Sequence, residues 1–223
     1  MVPHGVVLRL LVQVAKGDIA LHDPDLFVFR PGLYAELEPR EGELAVGIYG
    51  IVNEKTCLRF PTTHLLAFDA ASVRRICQTH GITPETYSRT PERLREPLAA
   101  IGIGDHNRPK DYLRFYDVFT LVWAIALAEK HRFRVVSFPQ SEDAWHVGGI
   151  SYDRSNRRLR YVHARFLELP SARRIRARYW PRLVGTEITT RDLERDMIQQ
   201  GAESMVRAID SRLEKVAEVV SSP

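Results

Sequence analysis

The sequence predicts an α+β fold, and three observations carry that expectation. Short apolar runs broken by turn-forming residues fill positions 5–61, the pattern of an antiparallel β-rich unit. Helix-period patterns follow over 62–131, including a long run that is apolar around most of its circumference, as a buried central helix would be. A second β-hairpin region is expected over 132–185, and a long amphipathic helix over 186–223 closes the chain. A length of 223 residues fits one domain spanning 1–223.

The elements follow in order. Strands are expected at 6–14, 26–30, 33–38, 44–52 and 56–60, separated by Gly17-Asp18, Asp23-Pro24-Asp25, Pro31-Gly32, Glu41-Gly42 and Asn53. Asp69 can cap a helix that runs to His80 and ends at Gly81. Thr90-Pro91-Glu92 opens another, which Pro97 can split. Residues 102–109 read as a loop, and 111–131 as the central helix. Strands at 133–138, 145–152 and 159–166 come next, the last two joined by a turn at 153–157. Thr189 and Asp192 resemble a capping box, and Leu193, Met197, Met205, Ile209, Leu213, Val216 and Val220 form one stripe behind it. That stripe packs on the body or pairs with a second copy, which leaves a homodimer or larger protein assembly open.

Composition limits the function classes. Apolar residues make up 44% and charged residues 27%, enough for an ordinary core. The apolar start is interrupted by Arg9 and Gln13 and lacks a basic leader, and the longest other apolar stretch, 118–128, is short of a membrane span. Cys57 and Cys77 form no CxxC pair, which fits reduced thiols and a soluble, cytoplasmic protein without membrane contact.

Charge carries the most information. The chain has 27 Arg and 5 Lys, and its net charge is +4. Residues 151–185 hold ten arginines against two acids, net +8, so the remainder is net acidic. Tyr152, Tyr161, Phe166, Tyr179 and Trp180 lie among those arginines. Guanidinium forks onto phosphate and stacks on flat rings, and exposed rings can stack on unpaired bases. The expectation is a nucleic-acid-binding surface built from Arg154, Arg157, Arg158, Arg160, Tyr161, Arg173, Arg174, Arg176, Arg178 and Trp180. Strand alternation would put Arg158 and Arg160 on one face. A helical turn from Ser171 would group Arg173 with Arg176 and set Arg174 and Arg178 beside them. An acidic partner protein, or an enzyme acting on a small anion, is the alternative.

Several patterns raise the question of catalysis, and the sequence leaves open whether the chain is an enzyme. Asp25, Glu36 and Glu38 loosely resemble the acidic motif of PD-(D/E)xK nucleases, with a glutamate where the lysine belongs; such carboxylates would hold Mg²⁺. Gly47-Ile48-Tyr49-Gly50 resembles the first half of the GIY-YIG nuclease motif, but Cys57-Leu58-Arg59-Phe60 stands where its second half belongs. Arg75 and His80 have the spacing of HEPN ribonucleases, which are all-helical, and Asp105-His106-Asn107 has the flavour of an HNH loop. His146, before Gly148-Gly149, is a candidate general acid or base. No Walker A, GxGxxG, GxSxG or HExxH sequence occurs.

Overall fold

The computed structural model describes residues 4–23, 26–30, 32–48, 50–52, 58–110, 114–136, 143–146 and 157–221. In chain order the elements are α1 (His4–Val14), β1 (Ile19–His22), β2 (Leu26–Val28), α2 (Leu33–Glu36), β3 (Glu43–Gly47), β4 (Gly50–Val52), β5 (Arg59–Pro61), β6 (Leu65–Phe68), α3 (Ala70–His80), α4 (Arg95–Ala99), α5 (Thr120–Ala128), β7 (Arg132–Val135), β8 (Ala144–His146), α6 (Arg157–Glu168), α7 (Arg173–Leu183), α8 (Thr190–Gln199) and α9 (Glu203–Ser221). The class is α+β, as the sequence predicts. Two compact units are distinguished: residues 1–23 with 32–138, and residues 24–31 with 139–223.

The first unit is built on a mixed four-stranded sheet in the order β1-β6-β3-β7. β6 pairs antiparallel with both β1 and β3, and β3 pairs parallel with β7. The sequence reading placed 62–131 as helical and missed β6. All four residues of β6 are buried, so no polar alternation marks it as a strand.

Two of the strands expected in this unit are helices. The run 6–14 folds as α1, because Leu8 and Val12, one helical turn apart, are its buried residues. Val7, Leu10, Leu11 and Val14 stay exposed along its other side. Arg74 from α3 donates to the carbonyl of Val12 at 2.9 Å and also to that of Ala15, closing the end of the helix. The segment expected as a strand at 33–38 is α2, with Leu33 and Leu37 buried at helical spacing. A strand reading would put Glu36 and Glu38 side by side on one face; the helical turn separates them.

The expected 44–52 strand divides into β3 and β4. A side-chain carbon on Gly47 would lie 2.6 Å from Pro61 and 3.0 Å from the Leu65 carbonyl. Close packing of backbone therefore accounts for this glycine without any nuclease motif. Asp69 caps α3 by accepting from the amides of Ala71 and Ser72, and Gly81 ends it in the left-handed conformation, both as expected.

The central helix is shorter than its apolar pattern suggests. It starts at Thr120, because Phe119 adopts φ 61, which a helix interior does not accept. Upstream, Tyr87 and Tyr116 exchange both backbone hydrogen bonds. From Thr120 to Ala126 every residue is buried. Trp123 is 1% exposed and lies against Phe119 at 4.9 Å, Phe133 at 5.6 Å and Phe68 at 6.0 Å between ring centres.

Asp105, from the loop after Gly102, fixes this part of the unit. It accepts from the backbone amide and the hydroxyl of the buried Thr90, both at 2.8 Å, and Thr90 in turn meets the Tyr116 hydroxyl at 2.7 Å. That is a structural post, not an HNH site. Burial works to raise the Asp105 carboxyl, but the Thr90 hydrogen bonds and the charges of Arg108 and Arg95 outweigh it and hold the group below its ordinary value. Its stabilisation is complete above about pH 4, the ordinary carboxylate value, and is lost as pH falls through the lowered native value. Urea melts across an acid series should show a shallower acid limb for Asp105→Asn. An unchanged limb would show that Asp105 contributes nothing to it.

The second unit joins a small antiparallel ribbon, β2 with β8, to four helices. Phe27 stacks on Trp145 and tilts against Phe166, each at 5.7 Å. The expected strand at 159–166 is α6: Leu159, Val162 and Leu167 are buried at helical spacing. The expected single C-terminal helix is two, because Gly201 at φ 78 closes α8 and Ala202 donates back to the Met197 carbonyl. The Thr189–Asp192 capping box is present. The break shifts the stripe, so Val206 is buried in place of Met205. Leu193, Met197, Ile209 and Leu213 pack within this unit's own core. The stripe therefore packs on the body, the first of the two alternatives the sequence offers.

Candidate functional site

Nine of the segment's ten arginines are among the described residues, and they fall on two helices with different jobs. On α6 the arginines are largely spent on structure. Arg160 donates to the Val184 carbonyl at 3.0 Å and 2.5 Å, closing the end of α7. Arg165 holds Asp210 at 2.8 Å and Glu168 at 3.3 Å. Arg157 lies 4.0 Å from Asp196. Arg158 and Arg160, expected on one strand face, point about 200° apart around a helix.

Tyr161 was expected to offer its ring to a base. The structure contradicts this: the ring is 1% exposed, and its hydroxyl donates to both carboxylate oxygens of Asp210 at 3.1 Å. Burial raises its ionisation above the ordinary tyrosine value, and the Asp210 charge adds to the rise. Asp210→Ala leaves a buried hydroxyl without an acceptor and should destabilise the second unit by about 1–3 kcal/mol. Thermal melts would check this; a change well below that range would contradict the arrangement. Arg154 lies outside the described residues.

Helix α7 is different. None of its 11 residues is buried, and it carries no acid. Arg173, Arg174, Arg176, Arg178 and Arg182 are all exposed. Arg176 lies over the Trp180 ring at 4.7 Å and stands 4.0 Å from Glu168; Arg178 lies over Tyr179 at 5.6 Å. Arg173, Arg174 and Arg182 have neither a hydrogen bond nor an ion pair among the described residues. A shallow open depression of about 470 Å³ is lined by Arg173, Arg176, Ala177, Trp180, Pro181 and Thr186. The residue before α7 is Ala172, with no side-chain hydrogen bond, so Ser171 does not cap the helix.

Several arginines elsewhere in the chain follow the α6 pattern, while Arg59, Arg89, Arg114 and Arg191 are exposed. Arg93 donates to the carbonyls of His80 and Gly81 at the end of α3. Arg132 donates to Glu41 and Gly42, and Arg134 to Glu36 and Glu38. A planar fork suits such orphan carbonyls. Part of the arginine content is thus a scaffold, and α7 is set apart by carrying five exposed arginines on one helix.

The expected catalytic groups are Asp25, Glu36, Glu38 and His146. Asp25 lies outside the described residues. Glu36 and Glu38 are exposed, and they join no group of three potential metal ligands among the described residues. His146 ends β8, paired in register with Leu26. Arg75 bonds Ser72 on the solvent side of α3, while His80 meets Glu129 at 2.7 Å; the R-x4-H spacing does not bring its two residues together. The sequence reading missed one titratable pair: His64 Nδ1 lies 2.7 Å from Asp23 Oδ2. Antiparallel pairing of β1 with β6 creates it, across 41 positions of sequence.

No protein-family model, curated protein or solved structure matches the chain. Among the described residues, no helix is long and apolar enough to cross a membrane.

Proposed function

We propose that the chain binds nucleic acid through the phosphate backbone, with α7 as the contact surface. One observation carries the reading: α7 presents five arginines on a helix with no acid and no buried residue. The placement costs stability. Arg173 and Arg174 sit at the positive end of the helix dipole. Arg174, Arg178 and Arg182 follow one another at i,i+4 steps, where like charges repel by roughly 0.2–0.5 kcal/mol per pair. A polyanion relieves both penalties and gains counterion release.

Arg173, Arg174, Arg176, Arg178 and Arg182 would make the phosphate contacts, whereas Arg160 and Arg165 act by holding α7 and α9 in place. The direct test is titration of a labelled oligonucleotide at low salt, where binding should be strong and should weaken steeply as salt is added. Absence of binding at low salt would remove the reading.

A further inference from the structure

We propose that the stacked Arg176–Trp180 pair is a platform for an unpaired nucleobase, so that α7 selects single-stranded over duplex nucleic acid. The inference rests on the phosphate-binding reading and adds to it a second kind of contact.

The geometry supports it in three ways. First, the Arg176 guanidinium lies 4.7 Å above the Trp180 ring, and both side chains line the same open depression. Stacking on an indole holds the guanidinium flat, and flat guanidinium and aromatic faces are the surfaces on which bases stack. Second, Arg173, the small Ala177, Pro181 and Thr186 complete the lining of the depression. A base entering it would meet the platform with its flat side. Arg173 would then reach a neighbouring phosphate, and the Thr186 hydroxyl would be available to a base edge or sugar. Third, Trp180 alone among the three tryptophans is not buried: Trp123 and Trp145 are 1% and 4% exposed.

A duplex hides its base faces against one another and offers α7 only phosphates. An unpaired base offers a face, and stacking of one base is worth roughly 5- to 150-fold in affinity.

The burial of the other two tryptophans supplies the readout. The full chain is titrated with a dT oligonucleotide, an abasic strand of the same length and a duplex with the same number of phosphates. The dT strand should quench tryptophan fluorescence and bind about 5- to 150-fold more tightly than the abasic strand. Trp180→Leu should abolish that difference between the dT and abasic strands. Equal binding of dT and abasic strands without quenching, or tighter binding of the duplex, overturns the platform and leaves the phosphate reading intact. Binding of none of the three overturns both. If Trp180→Leu fails to fold, quenching of the native chain by dT and not by the abasic strand decides the matter.

Discussion

Trp123→Ala is expected to destabilise the first unit by about 3–5 kcal/mol, the cost of emptying a large aromatic site in a closed core. Trp123 is 1% exposed, in a helix whose residues 120–126 are all buried, and three phenylalanine rings surround it. Those rings come from different places: Phe68 from β6, Phe133 from β7 and Phe119 from the turn into α5. None can close the cavity without moving a sheet strand or the residue held at φ 61. Whole domains hold only about 5–15 kcal/mol, so the loss should shift a urea melt by a large part of its midpoint. Trp123→Phe, which keeps a ring in the site, should cost much less. A shift below about 1 kcal/mol for the alanine variant would mean that the core repacks freely around this position.

The second large effect is on binding. Removing an arginine that holds phosphate loses a charge-assisted hydrogen bond worth roughly 1.5–3 kcal/mol, or about 10- to 100-fold in affinity. Arg173→Glu with Arg176→Glu adds repulsion and should reduce oligonucleotide affinity by at least about 100-fold at low salt. Neither side chain is buried, and the nearest acid to Arg176 is 4.0 Å away, so stability should barely change. Arg160→Gln is the useful contrast. Its guanidinium meets the Val184 carbonyl, so any loss of binding should come with loosening of α7. If Arg160→Gln and the double reversal both left binding untouched, the arginines of this segment would be bystanders.

How far the sequence foretold this depends on the kind of signal. Caps were legible because they are local: Asp69 and Gly81 bound α3, and Thr189 with Asp192 opens α8. The stretches 6–14, 33–38 and 159–166 misled because each is short and apolar-rich. In such windows a continuous apolar run fits strand and helix alike until one knows which residues are buried. For α1 these are Leu8 and Val12, and for α6 Leu159, Val162 and Leu167. The start of α5 was hidden by Phe119, whose left-handed backbone no composition rule suggests.

The candidate surface was legible as an excess of arginine, but its division was not. Arg160 and Arg165 look like Arg173 and Arg174 in sequence, yet the first two meet a carbonyl and two carboxylates while the others face solvent. Tyr161 looked like a stacking ring and is a core residue, because Asp210, 49 positions away, takes its hydroxyl. The 35-residue basic segment thus narrows to one 11-residue helix.

The most direct test of that narrowing is a salt series. Affinity for a single-stranded oligonucleotide is measured at rising salt for the native chain and for a variant with Arg173, Arg174, Arg176 and Arg178 all changed to Gln. The native chain should give a steep linear fall of log affinity with log salt. The variant should bind more weakly and lose roughly 3 units of slope, about 0.7 for each phosphate contact removed. The same slope and the same affinity in both proteins would contradict the assignment of α7 as the binding surface.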